Sequence, residues 1–166
     1  YQPENLKDEN FINKINELNP DLIIVIAFRK IPKSIWEIPK FGTLNLHASI
    51  LPEYRGAAPI NWAIINGEKE TGLTTFFINE NIDHGDILLQ EKHPIKINDN
   101  FKSIHDLLMI NSKKITIKTI ESVFNKNIVA KKQNYNHHHQ KAPKIFKKDN
   151  MINWGKTGLE IYNLIR

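Results

Sequence analysis

The sequence predicts an α/β protein: an open sheet flanked by helices. Three observations carry this. Stretches with apolar residues at helical spacing alternate with short runs of strand length. The run Leu22-Ile23-Ile24-Val25-Ile26 follows a helical stretch directly and is apolar on both faces, the pattern of a buried parallel strand. The chain has 166 residues, the size of one domain, long enough to enclose a core without disulfides or a structural metal.

The elements follow in order. Residues Glu4–Asn19 read as an amphipathic helix, with Phe11, Ile12, Ile15 and Leu18 at helical spacing and Pro20 as the stop. Asp21–Phe28 is the first strand. Ile31–Lys40, interrupted by Pro32 and Pro39, reads as a loop with at most a short helix. Gly42–Ser49 is the second strand, and Ala58–Asn66 a short helix closed by Asn66-Gly67. Thr71–Asn79 is a Thr- and Phe-rich strand, Asn79–Gly85 a polar turn, and Asp86–Ile95 a further strand. Phe101–Phe124 is a long helix with Asn100 as its N-cap and Ile104, Leu107, Leu108, Ile115 and Val123 on its apolar face. Asn125–Phe146 is polar and aperiodic and reads as a linker. The chain starts at Tyr1 and stops within a helical pattern, so it reads as part of a longer protein.

Composition narrows the chemistry. There is no cysteine, which excludes a thiol nucleophile, thiolate zinc sites, iron–sulfur clusters and disulfides. The longest apolar run, Leu22–Phe28, is far short of the about 20 residues that span a bilayer, so a cytoplasmic location with no membrane partner is the default expectation. The net charge is +5. Arginine occurs only at Arg29, Arg55 and Arg166, and the abundance of Lys, Asn and Ile matches AT-rich codon usage. The positive balance therefore permits a nucleic-acid partner without establishing one.

Ligands of open α/β sheets bind beyond the carboxyl ends of the strands. Asn45 and His47 lie two apart on the second strand and so share a face, opposite Leu44, Leu46 and Ala48. Asp83, in the Ile82–Asp86 turn, approaches His47 if their strands are neighbours. Such a set suits acyl transfer. Asparagine donates to a developing oxyanion, histidine donates or moves a proton, and the carboxylate orients the imidazole. The plain alternatives are a polar pair satisfied within the sheet and an aspartate that only forms a turn. Ser49–Pro59 is a candidate substrate-side loop. His137–His139 reads as solvated linker, because consecutive side chains diverge, and His84, His93 and His105 lack ligand spacing, so no metal is expected.

The segments Asn45-Leu46-His47-Ala48-Ser49-Ile50-Leu51-Pro52, Tyr54-Arg55-Gly56-Ala57-Ala58-Pro59-Ile60-Asn61-Trp62 and Asp83-His84-Gly85-Asp86 together resemble the signature of the folate-dependent formyltransferases. The likeness extends over nearly the whole chain, including Ala142-Pro143-Lys144-Ile145. It implies a Rossmann-like, open, mostly parallel sheet flanked by helices, truncated at its N-terminal side, with 10-formyltetrahydrofolate as formyl donor and no metal. By resemblance, Asn45, His47 and Asp83 are the catalytic trio, and Ser49, Ile50, Leu51 and Pro52 contact folate. The sequence is most similar to members that formylate the α-amino group of methionyl initiator tRNA for translation initiation, acting as cytoplasmic monomers. Sugar-nucleotide N-formyltransferases and formyltetrahydrofolate hydrolase domains are the competing assignments. A non-catalytic RNA- or folate-binding module is the alternative from another class. The resemblance divides the chain into a catalytic domain (1–130), a linker (131–148) and the start of a C-terminal tRNA-binding barrel (149–166), with Ile152-Asn153-Trp154 at the latter's opening. One departure stands out. Many relatives read Ala-Tyr-Gly-x-Ile-Leu-Pro after the first strand, where this chain has Ala27-Phe28-Arg29-Lys30-Ile31-Pro32. In the family, that loop borders the folate pocket.

Overall fold

The structure, a computed structural model, describes residues 1–134 and 139–166. Helix α1 (Glu9–Leu18) begins later than the periodicity suggests, because Asp8 caps it by accepting the Phe11 amide at 2.9 Å. It ends at Asn19 in the left-handed region, ahead of Pro20. Strand β1 (Ile23–Ile26) leads through the short helix α2 (Lys33–Trp36) to β2 (Thr43–His47). A two-residue strand β3 (Arg55–Gly56) precedes α3 (Pro59–Ile65). Strands β4 (Glu70–Phe77) and β5 (Ile87–Pro94) follow, then the long helix α4 (Phe101–Phe124). Strand β6 (Lys141–Ala142), a 3-10 turn at Lys147–Asn150 and helix α5 (Gly158–Ile165) complete the chain.

The main sheet has the order β1-β2-β4-β5. The α/β architecture with flanking helices is as expected. The strand directions beyond β2 depart from the mostly parallel expectation: β1 and β2 are parallel, whereas β2/β4 and β4/β5 are antiparallel. The connections explain this. The β4–β5 link is too short for a crossover, which takes about a dozen residues or more. Helix α3 has seven residues, about 10 Å of rise, and does not carry the chain back along the sheet, so β4 starts beside the end of β2. Strand β1 is also less buried than a doubly covered strand. It is the sheet edge, with Val25 buried but Ile24 38% and Ile26 56% exposed.

Helix α4 covers one face of the sheet. Its N-terminus is a capping box: the Asn100 side chain accepts the Ser103 amide, and Ser103 Oγ accepts the Asn100 amide, both at 3.0 Å. Ile104, Leu108 and Ile115 pack with Leu73, Ile60 and Ile64, while Leu46 and Ala48 lie against the same cluster. Val123 joins Leu44 and Leu88 further along. One buried polar contact fixes the register of helix on sheet. The Thr119 hydroxyl donates to Ile115 O at 2.7 Å, so the Thr75 hydroxyl donates to Thr119 Oγ at 2.9 Å.

Within the stretch 131–148, which reads from sequence as a linker, residues 131, 133 and 139–143 bond to the rest of the described chain. Lys131 and Ile87 exchange backbone hydrogen bonds at 2.8 Å, Gln133 is buried, and β6 pairs in parallel with β3. The Tyr54 amide donates to Gln140 O at 2.7 Å, and the Trp62 indole donates to Pro143 O at 2.8 Å. These attachments run largely through backbone groups and one glutamine, so no apolar period announces them.

Tyr54 shows how polar groups are accommodated in this core. It is buried, adopts a left-handed backbone (φ 61°), and donates its hydroxyl to Glu68 Oε1 at 2.6 Å while accepting from Asn66 at 3.2 Å. Burial first, and the Glu68 hydrogen bond second, push its phenol well above its ordinary value near 10.

Two outcomes follow. Ile104, 1% exposed at the centre of the core, loses its packing in Ile104→Ala; equilibrium urea unfolding is expected to show a loss of about 2–5 kcal/mol. An unfolded tyrosine gives up its proton near pH 10, whereas Tyr54 keeps its own. Its contribution is therefore complete below about pH 10 and is lost as the pH rises, by at most about 1.4 kcal/mol per pH unit. Unfolding measured from about pH 8 to about pH 11 checks this, since Tyr54→Phe removes that alkaline slope and costs about 0.5–1.5 kcal/mol at the lower pH.

Candidate active site

His47 stands at the carboxyl end of β2, opposite Thr74 of β4, on the sheet face away from α4. Its Nε2 lies 2.8 Å from Tyr54 O. A backbone carbonyl only accepts, so Nε2 carries the hydrogen and the ring plane is set by that bond. Nδ1 is left directed at Asp83 Oδ2, 3.9 Å away. That spacing exceeds a hydrogen bond and makes the contact a charge pair when the ring is protonated. Asn45 lies on the same face, paired with Phe76 and half-buried.

Asp83 is buried, with its backbone in the left-handed region at φ 57°, which aspartate tolerates better than most residues. The turn presses so closely on β4 that a Cβ on Gly85 would lie 1.5 Å from Phe77 O. Asp83 Oδ2 accepts the Gly56 amide at 3.0 Å. Gly56 has φ +126°, and a Cβ there would lie 2.4 Å from Ala142 O, so only glycine brings this amide to the carboxylate beside β6. The backbone oxygen of Asp83 accepts from Arg55 Nε at 3.1 Å and from the Gln133 amide nitrogen at 2.9 Å. Burial and the Arg55 guanidinium hold His84 below its usual value, against the opposing pull of Asp83.

Asn45, His47 and Asp83 open into one cavity of about 870 Å³. Its other walls are mostly apolar, including Val25, Phe28, Phe76, Ile82 and Met109, with Arg29, Lys30 and His105 also present. The size and the few convergent polar groups suit a ligand as large as a folate. The Phe28–Ile31 loop that departs from the family pattern forms part of this wall. Arg29 ties it to the N-terminal segment by donating to Glu4 O at 2.9 Å and Pro3 O at 2.6 Å.

Ser49, Ile50, Leu51 and Pro52, expected to touch folate, are absent from the cavity lining. Ser49 is fully buried and spends its hydroxyl on Glu53 O at 2.6 Å. Leu51 is 2% exposed, and its amide and carbonyl are bonded to Thr74 Oγ1 and Gln90 Nε2. Ile50 and Pro52 are half-buried, and the stretch leads to Tyr54, whose carbonyl oxygen meets His47. Sequence reading missed the contributions of Tyr54 O, the Gly56 amide, Arg55 and Gln133. The first two are backbone groups and leave no side-chain signal. Among the described residues, no three His, Asp or Glu side chains converge as a metal site. His137 and His138 lie outside the described residues, and His139 contacts Glu53 Oε1 at 2.6 Å and Asn134 O at 2.9 Å.

Residues 1–120 match the family described as Formyl transferase. The chain is 49% identical over 169 residues to a methionyl-tRNA formyltransferase of Azobacteroides pseudotrichonymphae, covering 99% of this chain and 52% of that protein. It is also 49% identical over 165 residues to that of Flavobacterium johnsoniae, with the same coverage. The chain thus spans about half the length of the curated relatives it matches. Among solved structures, it resembles an N-formyltransferase from Helicobacter canadensis in complex with folinic acid and dTDP-3-aminofucose. The TM-score is 0.66 at 33% identity, over 74% of this chain and 46% of that one. With the family matched over most of its length and the trio gathered in one cavity, the chain belongs to the formyl transferase family.

Proposed function

We propose that the protein containing this chain transfers the formyl group of 10-formyltetrahydrofolate to the α-amino group of methionyl initiator tRNA, as a cytoplasmic monomer. The observation that carries this is the buried His47–Asp83 pair facing, with Asn45, an apolar cavity of folate size. The acceptor is supported by the two relatives at 49% identity, both methionyl-tRNA formyltransferases. Among the described residues, no helix is long and apolar enough to cross a membrane.

The roles follow from chemistry. The Asn45 amide donates to the formyl oxygen as it gains charge. His47, held through Nε2, presents Nδ1 to the same charge when that nitrogen is protonated. Asp83 orients and balances the imidazolium, then takes the proton released by the attacking amine and passes it to the departing folate nitrogen. One carbon–nitrogen bond forms as another breaks, and tetrahydrofolate leaves with the proton the amine lost. Low polarity around the cavity strengthens each of these interactions relative to water.

A sugar-nucleotide amine is the second acceptor to consider, because the Helicobacter canadensis structure pairs this fold with dTDP-3-aminofucose. Formylation of methionyl initiator tRNA by the full-length protein, assayed beside a dTDP-amino sugar, separates the two. His47→Ala is expected to lower turnover about 100–1,000-fold, the loss of roughly 2.7–4 kcal/mol of transition-state stabilisation. Wild-type turnover in that variant overturns the role of His47. Formylation of the amino sugar alone overturns the acceptor.

A further inference from the structure

Gln133 lies in the stretch that reads as linker, yet it is only 3% exposed. Its amide nitrogen donates to two backbone oxygens of one turn, Asp83 O at 2.9 Å and Gly85 O at 2.8 Å. Its amide oxygen accepts from Arg55 Nε at 3.1 Å and Nη2 at 2.5 Å. Both donors and both lone pairs of the amide are thus engaged, and the amide has only one orientation that satisfies all four bonds. Arg55 closes the ring by donating from Nε to Asp83 O at 3.1 Å.

The two segments joined in this way are the two that define the carboxylate. One, Asp83–Gly85, carries it on a left-handed residue. The other, Arg55-Gly56, supplies the amide that its Oδ2 accepts at 3.0 Å. The Gln133 side chain thus bridges both segments, alongside the direct bond from Arg55 Nε to Asp83 O, where the Asp83 carboxylate approaches His47 Nδ1 to 3.9 Å. Gln133 itself does not line the cavity. We infer that Gln133 is a positioning residue for the reaction, clamping the Asp83–Gly85 turn to Arg55-Gly56 so that the Asp83 carboxylate faces His47.

The consequence for turnover rests on the function proposed above; the clamp can be observed without it. Gln133→Met keeps the volume and removes every hydrogen bond. Gln133→Glu keeps an acceptor for Arg55 and leaves no amide to bind the two carbonyls. In the full-length protein, each variant is expected to lower kcat about 10–100-fold, the cost of an ångström-scale displacement, with KM for 10-formyltetrahydrofolate within about 2-fold of wild type. Because Gln133 acts through Asp83, adding Gln133→Met to Asp83→Asn is expected to lower kcat by less than about 2-fold more. Hydrogen exchange supplies the readout that needs no activity. The Gly56 amide is expected to exchange at least about tenfold faster in Gln133→Met, while the β2 and β4 amides keep their protection. Unchanged kcat and unchanged Gly56 exchange overturn the clamp. So does a full second loss of kcat on the Asp83→Asn background, or a uniform rise in exchange across the sheet, which marks a merely structural glutamine. If Gly56 responds as expected but the wild-type protein formylates no methionyl initiator tRNA, the clamp stands and the proposed function falls.

Discussion

A carboxylate taken out of water must be surrounded by donors or give up its charge, and that requirement organises this molecule. Asp83 is 9% exposed, at the wall of a largely apolar cavity. Its carboxylate accepts a backbone amide at 3.0 Å and faces an imidazole at 3.9 Å. The amide belongs to a glycine that packs where no Cβ fits, and the imidazole is held by the carbonyl of a tyrosine with a left-handed backbone. Each support is individually unusual. Together they place one carboxylate beside the imidazole that shares its cavity.

For His84, next in the chain after Asp83, burial and then Arg55 lower the pKa and so favour the neutral ring. Arg55 spends its hydrogen bonds on Gln133 and on the Asp83 backbone oxygen. The imidazole of His47 faces the carboxylate side chain. On the opposite face of the sheet, the Thr75–Thr119 bond and the Ile104–Leu108 packing hold α4 in place.

Much of this was legible because strand and helix periods are strict. A spacing of two put Asn45 and His47 on one face and Leu44 and Leu46 against the core. The long helix matched from Phe101 to Phe124, because Asn100 and Ser103 are an explicit capping pair. Asp83 stood out as an aspartate in a turn beyond a strand end. The rest was hidden for equally physical reasons. Strand direction depends on how far α3 carries the chain, which no residue pattern encodes. The Ser49–Pro52 stretch carries a family signature, but within it Ser49 and Leu51 are buried and bonded to the protein's own groups. Gln133 is a lone polar residue amid lysines and asparagines. Its importance comes from three partners, two around 50 residues earlier and one 78 residues earlier.

Those separations have a temporal meaning. The trio Asn45, His47 and Asp83 is in hand once the first half of the chain has been synthesised. The glycine amide that holds the carboxylate is braced by Ala142, and the turn that carries it is tied down by Gln133. Contacts of such long range form late, after the loop-closure entropy of the intervening chain has been overcome. During synthesis at the ribosome, a chain ending short of Ala142 would therefore carry Asn45, His47 and Asp83 without the strand that packs against Gly56. That support would arrive only when residues 133–142 fold back onto the sheet.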